Sequence, residues 1–176
     1  MPKRLPMPDV FTPAKRSEVM SRIRGRGNRD TELALAKLLR WHHITGWRRH
    51  LKIKLGELPI KGRKSTTRKP RNTSSSVART RAQLFVHPDF VFPRQRTVVF
   101  VDGCFWHGCP KHSNLPENNR EFWEKKLNGN KVRDRLVNRL LRKAGWQVVR
   151  IWEHDLTKRS DVCIRRIEKA LVLGLG

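Results

Sequence analysis

Acidic residues are scarce in this chain: 15 Asp and Glu stand against 40 Lys and Arg over 176 residues, a formal charge of +25. A solvated basic surface is the plainer explanation. An excess of this size repels itself in a compact state, however, and is most simply explained by a polyanionic partner. Long apolar runs are also lacking, and nothing approaches the roughly 20 residues that span a bilayer, so nucleic acid is favoured over membrane. The opening Met1-Pro-Lys-Arg-Leu-Pro-Met-Pro8 carries charge but no apolar signal-peptide core, which predicts a cytoplasmic chain. Three cysteines are too few for a disulfide scaffold, and their odd number argues against full pairing. No internal repeat is present. The length suits one domain with a real core.

Residues 1–16, rich in Pro, Lys and Arg, read as an irregular basic arm, and 17–176 as one domain. A helix pattern opens at Ser17 and ends at Gly25-Arg-Gly27. A second begins after Asn28, capped by Asp30 or Thr31, with Leu33, Leu35, Ala36, Leu38 and Leu39 as its apolar stripe. Trp47–Leu55 reads as a strand. Residues 60–86 carry eight Lys and Arg and no acid, too little apolar surface to order most of the segment; it reads as a flexible basic insertion. Asp89-Phe-Val-Phe92 and Thr97–Val101 read as a hairpin joined by Pro93-Arg-Gln-Arg96. Helices are expected over 119–126 and 132–144, the latter closed by Gly145, then a strand over Trp146–Trp152 and a helix over Asp161–Leu173. This order predicts an α/β domain with a small mixed sheet flanked by helices.

The chemistry is concentrated between Val98 and His112. Cys104, Cys109 and His112 offer three zinc-type ligands in one loop, and His154, just beyond the strand ending at Trp152, is the candidate fourth. The alternative is two reduced cysteines and unrelated histidines. Cys163, at an apolar helical position, reads as a buried free thiol. Asp89 and Asp102 bracket the hairpin, which places them side by side. Either they share a cation, with Mg²⁺ expected, or they serve a strand start and a turn. His107 is a candidate general base, since an imidazole titrates near about 6.5; a zinc ligand or an exposed side chain are the competing readings. Phe105 and Trp106 are either core or wedges between bases. Glu32 faces either the sheet or solvent.

In order, Met20-Ser-Arg-Ile-Arg24, Asp30-Thr-Glu-Leu33, Pro88-Asp-Phe-Val-Phe92 and Val99-Phe-Val-Asp-Gly-Cys-Phe-Trp-His-Gly-Cys-Pro110 resemble the very-short-patch-repair (Vsr) endonuclease family. Glu121-Phe-Trp-Glu-Lys-Lys126, Asn130-Lys-Val-Arg-Asp134 and Gly145-Trp-Gln-Val-Val-Arg-Ile-Trp-Glu-His154 continue the likeness, which covers about 11–59 and 87–157. The resemblance implies a restriction-endonuclease-like fold with a zinc-anchored loop. It also implies a bacterial, monomeric DNA repair enzyme that nicks double-stranded DNA 5′ to the thymine of a T:G mismatch, left by deamination of 5-methylcytosine. On the same basis Asp89 resembles the principal Mg²⁺ ligand, His107 the catalytic histidine, Glu32 the N-terminal active-site glutamate and Asp134 a supporting acid. Asp102 matches a position that is histidine in some members, as a second ligand or an orienter. Phe105, Trp106 and Trp123 resemble the rings that intercalate beside the mismatch. Cys104, Cys109, His112 and His154 match the structural zinc site, with cysteine frequent at the last. Residues 60–86 depart from the family pattern, in which a Leu-Pro pair such as Leu58-Pro59 runs almost directly into Pro-Asp.

These residues predict Mg²⁺-dependent hydrolysis of one phosphodiester bond, with Asp89 and a main-chain carbonyl near Val101 at the metal and His107 activating water. Two rivals stand: a homing- or restriction-type nicking enzyme on matched DNA, and a zinc-stabilised DNA-binding module without catalysis.

Overall fold

The computed structural model describes residues 31–59, 81–117 and 119–174. The expected arm over 1–16 and the helix opening at Ser17 lie outside these residues. The elements in chain order are α1 (Glu32–Trp41), β1 (Arg48–Arg49), β2 (Ile53–Pro59), β3 (Arg81–Val86), β4 (Phe90–Phe92) and β5 (Thr97–Asp102). They continue with α2 (Arg120–Lys143), β6 (Gln147–Trp152), α3 (Glu153–Lys158) and α4 (Ser160–Leu173).

The β-branched run Thr97-Val-Val-Phe-Val forms β5, the central strand, in a four-stranded sheet ordered β1-β4-β5-β6. β1 and β4 pair antiparallel, as do β4 and β5, whereas β5 and β6 run parallel. The connection between the parallel pair contains α2, as a parallel crossover requires. Period-two alternation sorts the side chains onto two faces. Phe90, Phe92, Val99, Val101, Val149 and Ile151 share a core with Leu35 and Leu39 of α1 and Ile164 and Ile167 of α4. Val91 and Val98 pack on the other side with Leu141 of α2. The same alternation puts Asp89, Asp102 and Arg150 on that second face, at the end of the sheet where β5 and β6 finish together, Asp102 opposite Trp152.

Three elements differ from expectation. The strand foreseen over Trp47–Leu55 is broken at His50, whose φ of 51° is left-handed. The chain leaves β1 there and continues as β2 in a separate ribbon with β3. β3 is the last part of the segment expected to be flexible over 60–86. Its Gln83-Leu-Phe-Val86 pairs with β2 in antiparallel register, and local composition understated that contribution because cross-strand pairing supplies the order. Residues 60–80 lie outside the described residues. Finally, the two helices foreseen on either side of Asn128-Gly-Asn130 are one helix of 24 residues, α2.

Gly129 is tolerated in α2 because Trp123, Leu127 and Leu141 are buried along one face of the helix. A Cβ added at Gly129 meets nothing within 4 Å. Gly129→Ala is therefore expected to stabilise the protein by about 0.5–1 kcal/mol, read as a higher midpoint in urea with unchanged slope. At the end of α2, Gly145 adopts φ 77°. Trp146 N–H donates back to the Leu141 carbonyl at 3.0 Å, and Arg96 caps the Ala144 and Gly145 carbonyls.

Candidate active site and metal-ligand clusters

A cleft of about 630 Å³ opens on the second face of the sheet, and Glu32, Asp89, Asp102, His107, Asp134 and Arg150 all line it. They come from α1, the approach to β4, the end of β5, the loop after it, α2 and β6. Leu84, Phe85 and Val86 of β3 form part of the wall. Phe85 is 37% exposed and lies under the Lys52 ammonium, which is 3.8 Å from the ring centroid.

At one end, His107 Nδ1 lies 2.6 Å from Asp134 Oδ2. Burial opposes the Asp134 charge, but the His107 hydrogen bond and the Arg150 guanidinium outweigh it and hold that carboxyl below its ordinary range. Asp102 is 4% exposed, and both its oxygens accept from Arg150, at 2.7 Å from Nε and 2.5 Å from Nη2. Arg150 also stands 3.3 Å from Asp134 Oδ1 and accordingly ties the two carboxylates together beside His107. Asn138 Oδ1 accepts from the remaining arm of Arg150 at 3.2 Å.

At the other end, Asp89 Oδ2 accepts from Val101 N–H at 2.7 Å. Burial nevertheless pushes its pKa up to about 6, and the negative charges of Glu32 and Asp102 add to the rise. Glu32 is 4% exposed rather than solvated, because Arg49 Nη2 approaches its Oε2 at 2.5 Å and His50 Nε2 at 3.0 Å. Glu32, His50 and Asp89 each present a ligand atom, all within 4.8 Å of one another. Asp89 and Asp102 line the same cleft, where Asp89 groups with Glu32 and His50 while Asp102 pairs with Arg150.

A second cluster lies beyond the end of β5, where Cys104, Cys109, His112 and His154 bring their ligand atoms within 4.8 Å of one another. The parallel register of β5 and β6 makes this possible: it delivers the 103–112 loop and the first turn of α3 to the same sheet end. His154 Nδ1 is 3.1 Å from Cys104 Sγ, and its Nε2 is 3.4 Å from Asp155 Oδ1. Burial pushes the Cys104 thiol up to about 11, so a thiolate there calls for a cation. Two sulfurs and two imidazole nitrogens are a donor set that suits tetrahedral zinc. Cys163 is a fully buried free thiol, as its position in the helix pattern suggested.

Between the two clusters the aromatic rings pack on one another. Phe105 and Trp123 meet edge to face with centroids 5.3 Å apart, and Phe105 and Trp106 at 5.2 Å. Trp123 is 8% exposed, whereas its neighbour Phe122 is 60% exposed. Asn130 Nδ2 donates to the Trp106 carbonyl at 2.9 Å and fixes this loop to α2.

His50 and Arg150 escaped the reading of the sequence. His50 sat in what read as a plain basic strand. Arg150 had a usable signal: it occupies an alternating position of a core strand, where a buried guanidinium requires a carboxylate.

The chain's residues 76–113 match the family model described as DNA mismatch endonuclease Vsr. The type II nicking enzyme V.NmeDIP of Neisseria meningitidis serogroup C is 32% identical over 165 residues, covering 93% of this chain and 90% of that enzyme. The chain belongs to the Vsr family. Other Vsr-family relatives match more locally. The type II nicking enzyme V.NaeI of Lentzea aerocolonigenes is 51% identical over 70 residues, 40% of this chain and 42% of that enzyme. The DNA mismatch endonuclease Vsr of Escherichia coli K12 is 41% identical over 82 residues, 46% of this chain and 53% of that enzyme. Membership is in keeping with the endonuclease-like arrangement of a small mixed sheet flanked by helices. Among the described residues, no helix is long and apolar enough to cross a membrane.

Proposed function

We propose that this chain nicks one strand of duplex DNA at a T:G mismatch by Mg²⁺-dependent hydrolysis of a phosphodiester bond. One observation carries the reading: His107 is engaged at Nδ1 by Asp134, and the cleft it faces also receives Asp89 and Glu32. A histidine oriented through one nitrogen offers the other to a water molecule. His107 Nε2 takes the proton of the attacking water, the water oxygen bonds to phosphorus, and the P–O bond on the far side breaks, its oxygen leaving with the bonding pair and taking a proton from solvent. Asp134 holds the imidazole in the required tautomer and stabilises its charged form, while Arg150 and Asp102 hold Asp134 in place.

Asp89 and Glu32 would hold the Mg²⁺, and two carboxylates at a phosphate-facing cleft fit an oxygen-seeking cation. When bound, that ion neutralises charge on the phosphate. Phe105 and Trp106, backed by Trp123, serve as the wedge beside the mispair. The basic residues supply attraction that weakens with salt. The enzyme is taken to act as a cytoplasmic monomer, with 1–16 and 60–80 as basic accessories to one domain.

The test is an end-labelled duplex with one T:G pair, beside its matched counterpart, in Mg²⁺. Wild type is expected to cut one strand 5′ to the thymine, and Asp89→Ala and His107→Ala to leave it intact. Equal nicking by all three removes this site from the mechanism. Equal nicking of matched DNA favours a restriction-type enzyme, and tight Mg²⁺-independent binding without cleavage favours a binding module.

Zinc on Cys104, Cys109, His112 and His154 is proposed to be structural, fixing the loop that carries His107. Elemental analysis of the folded protein is expected to find about one zinc per chain, and Cys109→Ala to lose it and destabilise the fold by more than about 2 kcal/mol. Folded, chelator-free protein without zinc overturns this assignment.

A further inference from the structure

We propose that His50 is a third ligand of the cation held by Asp89 and Glu32, and that its nitrogen tunes the site toward Mn²⁺-type ions over Mg²⁺. The inference rests on the reading of this cleft as a cation-dependent nuclease site and adds to it a residue and a metal preference.

The first ground is geometric. Ligand atoms of Glu32, His50 and Asp89 all lie within 4.8 Å of one another. Donors on a single ion, each about 2.0–2.2 Å away, stand at most about 4.4 Å apart, so small side-chain adjustments place all three on one ion.

The second ground is how His50 reaches that position. A φ of 51° is uncommon for a residue other than glycine. Here it follows directly on the pairing of Arg49 with Phe90, and His50 N–H donates to the Asp89 carbonyl at 3.3 Å. The turn therefore binds the backbone of one prospective ligand to that of another. Arg49 and His50, though adjacent in sequence, both approach Glu32 Oε2, so the left-handed residue bends two successive side chains toward the same buried carboxylate.

The third ground is chemical. His50 Nε2 stands 3.0 Å from Glu32 Oε2. Moving its proton to Nδ1 turns the same nitrogen from a donor to Glu32 into an acceptor, with Arg49 Nη2 at 3.4 Å as the cation a metal would displace from it. Two carboxylates and an imidazole suit Mn²⁺ and later first-row ions, whereas Mg²⁺ takes oxygen almost alone. His87 and His107 are the imidazoles that line the cleft, and His87 Nδ1 lies 3.5 Å from the His50 carbonyl. His107 Nδ1 is committed to Asp134, and His50 is the imidazole whose ligand atom groups with those of Asp89 and Glu32.

The experiment is pulsed electron paramagnetic resonance of Mn²⁺ bound to the full chain, with zinc already loaded, alongside titrations with Mn²⁺ and Mg²⁺. Wild type is expected to show ¹⁴N modulation from a coordinated imidazole. That signal should vanish in His50→Ala and persist in His107→Ala, and Asp89→Ala should abolish binding. His50→Ala should weaken Mn²⁺ by at least about tenfold and Mg²⁺ by less than about threefold. Asp89-dependent Mn²⁺ without nitrogen modulation in the wild type overturns the role of His50 and leaves the carboxylate site standing. Modulation that survives in His50→Ala has the same meaning. No Asp89-dependent binding of either ion overturns the proposal together with the cation-dependent reading beneath it. Should His50→Ala fail to fold, His50→Gln and His87→Ala make the assignment: the modulation is expected to vanish in the first and persist in the second, and the reverse overturns the role of His50.

Discussion

Replacing His107 by alanine is expected to slow single-turnover nicking by about 10²–10⁴-fold, the range for loss of a positioned general base. DNA binding is expected to change by less than about threefold, since the uniform backbone attraction comes from the many cations elsewhere. The companion experiment uses Asp134→Asn. Asp134 acts on the reaction through the Nδ1 contact at 2.6 Å, so it belongs to the same unit as His107. Residues that work as a unit are not additive. The double variant should accordingly be no slower than His107→Ala alone. Multiplying losses in the double variant contradict this wiring and give Asp134 a separate task.

The second large effect joins stability to function at Asp89. Its pKa in the folded chain is about 6, against an ordinary 3.8, so the folded state binds this proton more tightly than the unfolded state does. The sign follows from linkage: the folded chain carries no penalty below about pH 4, loses stability as the pH rises from about 4 through 6, and bears the full cost above that. Asp89→Asn removes the ionisation and keeps an oxygen for Val101 N–H. Without added cation at pH 7.5 it should stabilise the fold by about 1–3 kcal/mol, or about 2–12 °C in Tm. The gain should vanish by about pH 4. Nicking should be lost throughout. A divalent cation should raise the Tm of the wild type and leave Asp89→Asn unmoved. A variant no more stable than wild type at pH 7.5 contradicts the burial argument.

The positions that could be read in the sequence were those governed by local pattern or by residue type. Alternation identified β4 and β5 and placed Asp89 and Asp102 at one end of the hairpin. The ligand-type side chains of the loop, with His154 beyond the next strand, came together as the parallel register dictates. What escaped depends on contacts far apart in the chain. Asn128-Gly-Asn130 looks like a break until Asn130 finds the Trp106 carbonyl. Leu84-Phe-Val86 looks like the tail of a polar insertion until β2 pairs with it. His50 becomes a site residue only through a backbone turn that no residue type advertises.

From Arg120 to Lys143, α2 runs without interruption. The helix is about 36 Å of unbroken rod. Trp123, Asn130, Asp134 and Asn138 lie on it, touching in turn the ring cluster, the loop of His107, His107 itself and Arg150. Trp123 and Asp134 are about three turns apart and share a side. A rod displaced at the rings cannot absorb the motion in a joint before it reaches the group that orients the imidazole. On the function proposed above, seating the wedge and aligning the base are one movement of one lever.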